Sequence, residues 1–273
     1  MITPKITNLG YSNLWSDMST ILDGGTAPTS PPPSSTVDEM YFSTTNGSLS
    51  YIGSSGDVIT LSDGTTYTVS EDGFYSSENV PVGKHKVKLV ETRSDVYVSI
   101  GGEALIELHN FPEISTITYF NFYPYISSPN LIKVPTLLPS NLTDVTYLFS
   151  EASSFNQDIS SWNVSNVTNM GNMFSHANSF NQPLNSWNVS NVTDISGMFL
   201  NANSFNQPLN SWNVINVTNM NGVFLNARSF NQDISSWCVI NITSEPYYFS
   251  TNSPLSWQNK PVWGTCPRGE NAT

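Results

Sequence analysis

The sequence predicts a mainly β protein with short helical turns, in which 25-residue coils stack into a solenoid preceded by a small β domain. Three observations predict it. First, Phe155, Phe180, Phe205 and Phe230 recur at a fixed spacing of 25. So do Trp162, Trp187, Trp212 and Trp237, and Phe149, Phe174, Phe199, Phe224 and Phe249. An unvarying period marks a repeat architecture, because one unit cannot bury its apolar side alone and a stack of units can. Second, the turn dipeptides Asn46-Gly47 and Asp63-Gly64 punctuate short alternating segments ahead of the repeats. Third, charged residues are 11% of the 273, less than half the usual share of about 25%, and Ser, Thr and Asn fill the difference.

The N-terminal third divides by composition. Residues 1–25 carry no basic stretch ahead of an apolar core, so they do not read as a secretory signal. Leu14, Met18 and Ile21, with Trp15, have helical spacing. The segment reads either as a frayed terminus or as an anchoring peptide that docks on a larger assembly. Residues 26–36, TAPTSPPPSST, form an extended Pro/Ser/Thr linker. A small β domain is expected over 37–102. Asn46-Gly47 stands between MYFSTT and SLSYI, and Asp63-Gly64 between VITLS and TTYTV, each reading as a hairpin turn, with Asp72-Gly73 a third candidate. Residues 80–100 alternate well enough for two further strands.

The solenoid is expected over 103–243. Within one unit, Trp187-Asn188-Val189 alternates and suggests a short strand with Ser186 and Asn188 outward. Asn191-Val192-Thr193 makes a turn. Ile195, Met198, Phe199 and Ala202 then suit one short helical turn with its apolar side inward. Stacking places identical residues in columns. Asn191, with Asn166, Asn216 and Asn241, is expected to satisfy backbone groups in the turns. Columns also explain the missing charge, since like charges repel at strand spacing whereas Ser, Thr and Asn hydrogen-bond along the stack. Leu131–Val134 lies 26 residues after Leu105–Leu108, and both read as degraded strands at the start of the solenoid. Residues 244–273 should cover the last apolar layer, with Tyr247, Tyr248, Phe249, Trp257 and Trp263 as the covering side chains.

The unit SSWNVSNVTNMGNMFSHANSFNQ resembles the 25-residue repeats of BspA-type leucine-rich-repeat surface proteins, and the ending from Trp237 to Pro267 resembles their C-terminal cap. The resemblance spans roughly 103 to 273. It implies a leucine-rich-repeat-like right-handed coil and roles in adhesion or recognition. The segment STVDEMYFSTTNGSLSYIGSSGDVI is similar to short hairpin modules of phage tail and head fibre proteins. Cys238 falls in the column of Asn163, Asn188 and Asn213 at the last turn, which suits a bridge to Cys266 in the returning tail; two reduced core thiols are the alternative.

No catalytic constellation is visible. His85, His109 and His176 are the histidines, and His176 stands where later repeats have Asn201 and Asn226. There is no G-x-S-x-G, H-E-x-x-H, phosphate loop or C-x-x-C. No enzyme activity, metal or cofactor is expected. A net charge of −12 argues against nucleic acid, and no run of about 18 apolar residues offers a membrane span. The candidate binding surface is the outward strip Ser161, Asn163, Ser186, Asn188, Ser211 and Asn213, suited to a host-surface glycan or a protein's polar face. The sequence-level reading is a bacteriophage virion protein of fibre or decoration type, held to other virion proteins through its N-terminus and displayed on the virion surface. Trimerisation, typical of fibres, has no coiled-coil heptads to support it. The alternative is a bacterial BspA-type adhesin, and a polysaccharide-degrading enzyme is a remote third.

Overall fold

The computed structural model describes residues 39–53, 55–70, 74–88, 97–110, 119–121 and 128–267. The anchoring residues Leu14, Trp15, Met18 and Ile21, the linker 26–36 and Asp72-Gly73 lie outside the described residues.

Among the described residues, nine short strands make up the N-terminal region and the one helical element is the 3-10 turn Trp257–Asn259. Strands β4 (Thr66–Thr68), β3 (Val58–Thr60), β6 (Gly83–Lys88), β1 (Glu39–Thr44) and β8 (Leu105–Leu108) form one sheet in that order. Strands β5 (Phe74–Ser77), β2 (Leu49–Ile52), β7 (Tyr97–Gly101) and β9 (Tyr119–Asn121) form the other. Both sheets feed one buried cluster, with Met40, Phe42, Ile59 and Val87 from the first and Leu49, Tyr51, Tyr75 and Ile100 from the second.

The expected hairpin at Asp63-Gly64 forms: β3 and β4 pair antiparallel, and Asp63 Oδ1 accepts the Thr65 N–H at 2.8 Å. The expected hairpin at Asn46-Gly47 does not. β1 pairs with β6 and β8, whereas β2 pairs with β5 and β7, so this turn carries the chain from one sheet to the other. The reason lies in the burial patterns. β1 alternates and turns Met40, Phe42 and Thr44 inward, while in β2 Leu49, Ser50 and Tyr51 are all buried, which suits a strand covered on both faces. Pairing β1 with β2 would leave one of those faces uncovered. The two further strands expected at 80–100 are present as β6 and β7.

The β region hands over to the repeats through its edges. Leu108 N–H donates to the Lys133 carbonyl and Ile132 N–H to the Ile106 carbonyl, both at 2.9 Å, so Leu131–Val134 does pair with β8, in parallel. Parallel bridges then run Tyr119, Asp144, Asn169, Asp194, Asn219, beginning at β9. The first coil thus continues both sheets, through β8 and β9.

His109, just after β8, links this junction to pH. Its ring is 9% exposed, Nε2 lies 2.7 Å from Ser43 Oγ, and Nδ1 lies 3.8 Å from Glu107 Oε2. Burial first and then the Lys84 charge hold its pKa down at about 4, with Glu107 opposing and Lys133 adding to the depression. The unfolded chain therefore binds this proton below about pH 6.5 and the folded chain only near pH 4. The stabilisation is complete above pH 6.5 and is lost as pH falls toward 4. The expected loss is about 1–3 kcal/mol across that window, read as a falling urea midpoint, and His109→Gln should flatten it.

Candidate functional site

Each coil is stitched to the next by three different devices. On one side the backbone does it. Met170, Asn172, Phe174 and His176 donate their N–H groups to the carbonyls of Asp194, Ser196, Met198 and Leu200 at 2.7–2.9 Å, and Ile195, Gly197, Phe199 and Asn201 repeat the pattern one coil on. The intervening Met173, Ser175 and Ala177 instead donate back three residues within their own coil. The segment expected to be a helical turn is therefore two consecutive turns. The physical reason is left-handed backbone at two positions in each coil: Asn172 and His176 (φ 54° and 60°), Gly197 and Asn201 (61° and 56°), and Gly222 and Asn226 (64° and 56°). A right-handed helix cannot pass through them.

The second side holds Trp187-Asn188-Val189, expected to be a strand. Between the coils of Trp162, Trp187 and Trp212, no backbone hydrogen bond crosses here among the described residues. Side chains replace it. Trp187 Nε1 reaches the Ile159 carbonyl at 3.2 Å and Trp212 Nε1 the Leu184 carbonyl at 2.9 Å. Ser186 Oγ donates to the Ser160 carbonyl. Asn166, Asn191, Asn216 and Asn241 donate through Nδ2 to the carbonyls of Ser140, Ser165, Ser190 and Ile215, all at 2.7 Å. That Asn column was legible in the sequence, though the absence of a strand was not. The third device is the Phe-Asn-Gln corner. Asn156 Oδ1 accepts the Asn181 N–H, Asn181 Oδ1 that of Asn206, and Asn206 Oδ1 that of Asn231. The Gln182, Gln207 and Gln232 amides bond the same asparagines.

Charge obeys the column rule with one refinement. Asp144 and Asp194 alternate with Asn169 and Asn219, and each Asn donates to the carboxylate one coil before it (3.3 and 2.9 Å). Carboxylates are tolerated in the column provided an amide separates them.

The core of the stack is aromatic. Within a coil, Phe174 lies on Phe180 at 4.1 Å and Phe199 on Phe205 at 4.0 Å; between coils, Phe174, Phe199 and Phe224 follow at 5.7 Å with planes within 5°. At the end the geometry turns: Phe249 meets Phe224 edge-on at 5.6 Å, and Trp263 meets Phe249 edge-on at 4.9 Å. Phe249, Trp263 and Leu255 cover the last layer. Tyr247, Tyr248 and Trp257, expected to help, are 80%, 68% and 79% exposed, because their positions project away from the stack. The Cys238–Cys266 disulfide is present, and the tail lies along the last coil through Val239 N–H to the Thr265 carbonyl and Gly264 N–H to the Ile242 carbonyl.

The candidate strip is brought together as one column pair. Ser161, Asn163, Ser186, Asn188, Ser211 and Asn213 are all exposed, with the Trp column buried behind them. Much of its hydrogen-bonding capacity is already used. Ser161 Oγ donates to the Thr136 carbonyl and Ser211 Oγ accepts from Asn185. The Oδ1 atoms of Asn163, Asn188 and Asn213 cap the N–H two residues on. Their outward Nδ2 groups remain for a partner.

His176 is a column residue, its Nε2 2.7 Å from Asn201 Nδ2. Ser43, His109 and Glu107 have the residue types of an acyl-transfer relay, but 3.8 Å separates carboxylate and ring, beyond hydrogen-bond reach. His85 is a buried pin between Thr44 and the Ser62 N–H.

A stack of near-identical coils, closed at one end by sheets and at the other by a disulfide-tied tail, defines a repeat protein that displays one surface many times. Residues 130–237, the repeat region, match the family described as "Mycoplasma protein of unknown function, DUF285". The match agrees with the resemblance to BspA-type surface repeats. No curated protein and no solved structure matches the chain.

Proposed function

We propose that this is a non-enzymatic recognition protein of the BspA type, displayed outside the cell, whose stacked coils form a leucine-rich-repeat-like right-handed solenoid. The observation that carries the reading is the family match over residues 130–237, which falls on coils presenting an uncharged, repeated polar face. The virion reading rests on the N-terminal segment 1–25 and the linker 26–36, outside the described residues, and on a fibre-like hairpin whose strands pair in different sheets. The adhesin reading is the better supported of the two.

Labelled protein applied in parallel to epithelial cells and to bacterial cells separates them. An adhesin is retained on epithelial cells, and an attachment protein of a phage on bacteria. Retention on neither sinks both readings. The triple change Asn163→Lys, Asn188→Lys and Asn213→Lys should weaken retention at least about tenfold, or roughly 1.4 kcal/mol. Undiminished retention by the folded triple variant removes the strip as the contact face.

A further inference from the structure

Each repeat asparagine between Asn156 and Asn241 makes at least one side-chain hydrogen bond within the protein, with one exception among the described residues. Asn172 is the exception: among the described residues its amide has no hydrogen-bond partner. It belongs to the column of left-handed residues Tyr147, Asn172, Gly197, Gly222 and Tyr248. In this column the side chain shrinks to hydrogen at Gly197 and Gly222 and returns as a tyrosine at Tyr248. The result is a trough of about 230 Å3 on the surface of the stack.

The Asn172 side chain lies over Gly197, so that a methyl group there would collide with it. Above Gly222 the space is open, the nearest atom to an added methyl being Leu225 Cβ at 3.9 Å. Leu200 and Leu225 form the apolar part of the lining, and Ser196 and Asn221 add polar groups. Tyr247 and Tyr248 close the end toward the cap. Tyr248 holds φ at 56°, a conformation that costs a bulky side chain of order 1 kcal/mol. It is 68% exposed, so core burial does not offset that cost.

We propose that this trough binds one neutral sugar ring of a surface glycan; the inference deepens the recognition role proposed above and rests on it. The lining names the ligand class. No charged side chain lines the trough, so nothing there selects a phosphate, a carboxylate or an ammonium group. Exposed tyrosine faces suit the C–H face of a pyranose. The Asn172 amide and the Ser196 hydroxyl offer both donors and acceptors for ring hydroxyls. The volume falls below the roughly 300–1,000 Å3 of clefts for drug-sized ligands, which limits the occupant to a single ring.

The probes are the methyl glycosides of glucose, galactose, mannose and N-acetylglucosamine, offered to the full chain and followed by saturation-transfer NMR. Gly222→Asn fills the trough without a forbidden backbone, since Asn already occupies this column at Asn172. Tyr248→Asn removes the aromatic face on the same logic, and thermal unfolding verifies that both variants fold. At least one glycoside should bind, with each variant weakening it about tenfold or more. No binding by any glycoside, or binding indifferent to both trough variants, overturns the site. If cell retention persists while glycosides fail, the trough falls and the recognition reading stands. If glycosides bind through the trough while no cell surface is retained, the site stands and the adhesin reading falls.

Discussion

Phe199→Ala should lower the unfolding free energy by about 3–5 kcal/mol, the range for deleting a large aromatic from a packed core. Phe199 is fully buried and its ring stacks on Phe205 at 4.0 Å and on Phe174 and Phe224 at 5.7 Å. The space cannot be refilled from the sides, because each neighbour is held in its own column by the same stacking. Removing this ring also breaks the column in its middle. A stack depends on nearest-neighbour interfaces, so the urea transition should broaden, with the coils on the two sides of residue 199 melting separately. A loss below about 1 kcal/mol with an unchanged slope would show that the hydrogen-bonded sides, and not the aromatic column, hold the coils together.

Opening the disulfide is the second large effect. The bridge closes a loop of 28 residues, and the chain-entropy relation assigns such a loop about 3–4 kcal/mol. The double variant Cys238→Asn with Cys266→Ser restores the residue type that the column carries at Asn163, Asn188 and Asn213. Beyond Lys260 the tail is otherwise held mainly by the Val239 and Gly264 backbone bonds and by the edge-on contact of Trp263 with Phe249, whereas Tyr247, Phe249, Thr251 and Asn259 accept backbone N–H groups of Gly222, Phe224, Asn226 and Ile234. The expected outcome is local. Proteolysis should remove residues after Lys260 first, and Trp263 emission should change before the coil tryptophans respond. Identical proteolysis of oxidised and reduced protein would sink this account of the cap.

What the sequence made legible was whatever the stacking itself dictates. Period, aromatic columns, the Asn166-type ladder and the scarcity of charge all follow from like residues meeting like, and can be read without coordinates. What escaped was local backbone conformation. The Ile195, Met198, Phe199, Ala202 spacing fits a helical turn and equally fits the two left-handed turns that form. The discriminating signal was present, because Asn172, Gly197 and Gly222 share a column and are the residue types that favour positive φ. The Trp187-Asn188-Val189 alternation marks real in-and-out burial, but side-chain bonds hold that wall where a strand ladder was expected. At Asn46-Gly47 the turn chemistry was right and the pairing wrong, since partner choice depends on which faces the rest of the domain covers. The trough was invisible for another reason. It opens where a side chain is missing at Gly222, beside the Asn172 side chain that lies over Gly197, and only coordinates show which neighbours face the gap.

The alternation of Asp144, Asn169, Asp194 and Asn219 makes the coils inequivalent in pairs. Excising the single coil that carries Asn169, as slippage between near-identical gene segments would do, sets Asp144 directly against Asp194. Excising two coils together restores a carboxylate beside an amide. Loss of the Asn169 coil alone therefore requires an accompanying Asp-to-Asn exchange in this column, whereas loss of a coil that carries an aspartate, or of two adjacent coils, does not.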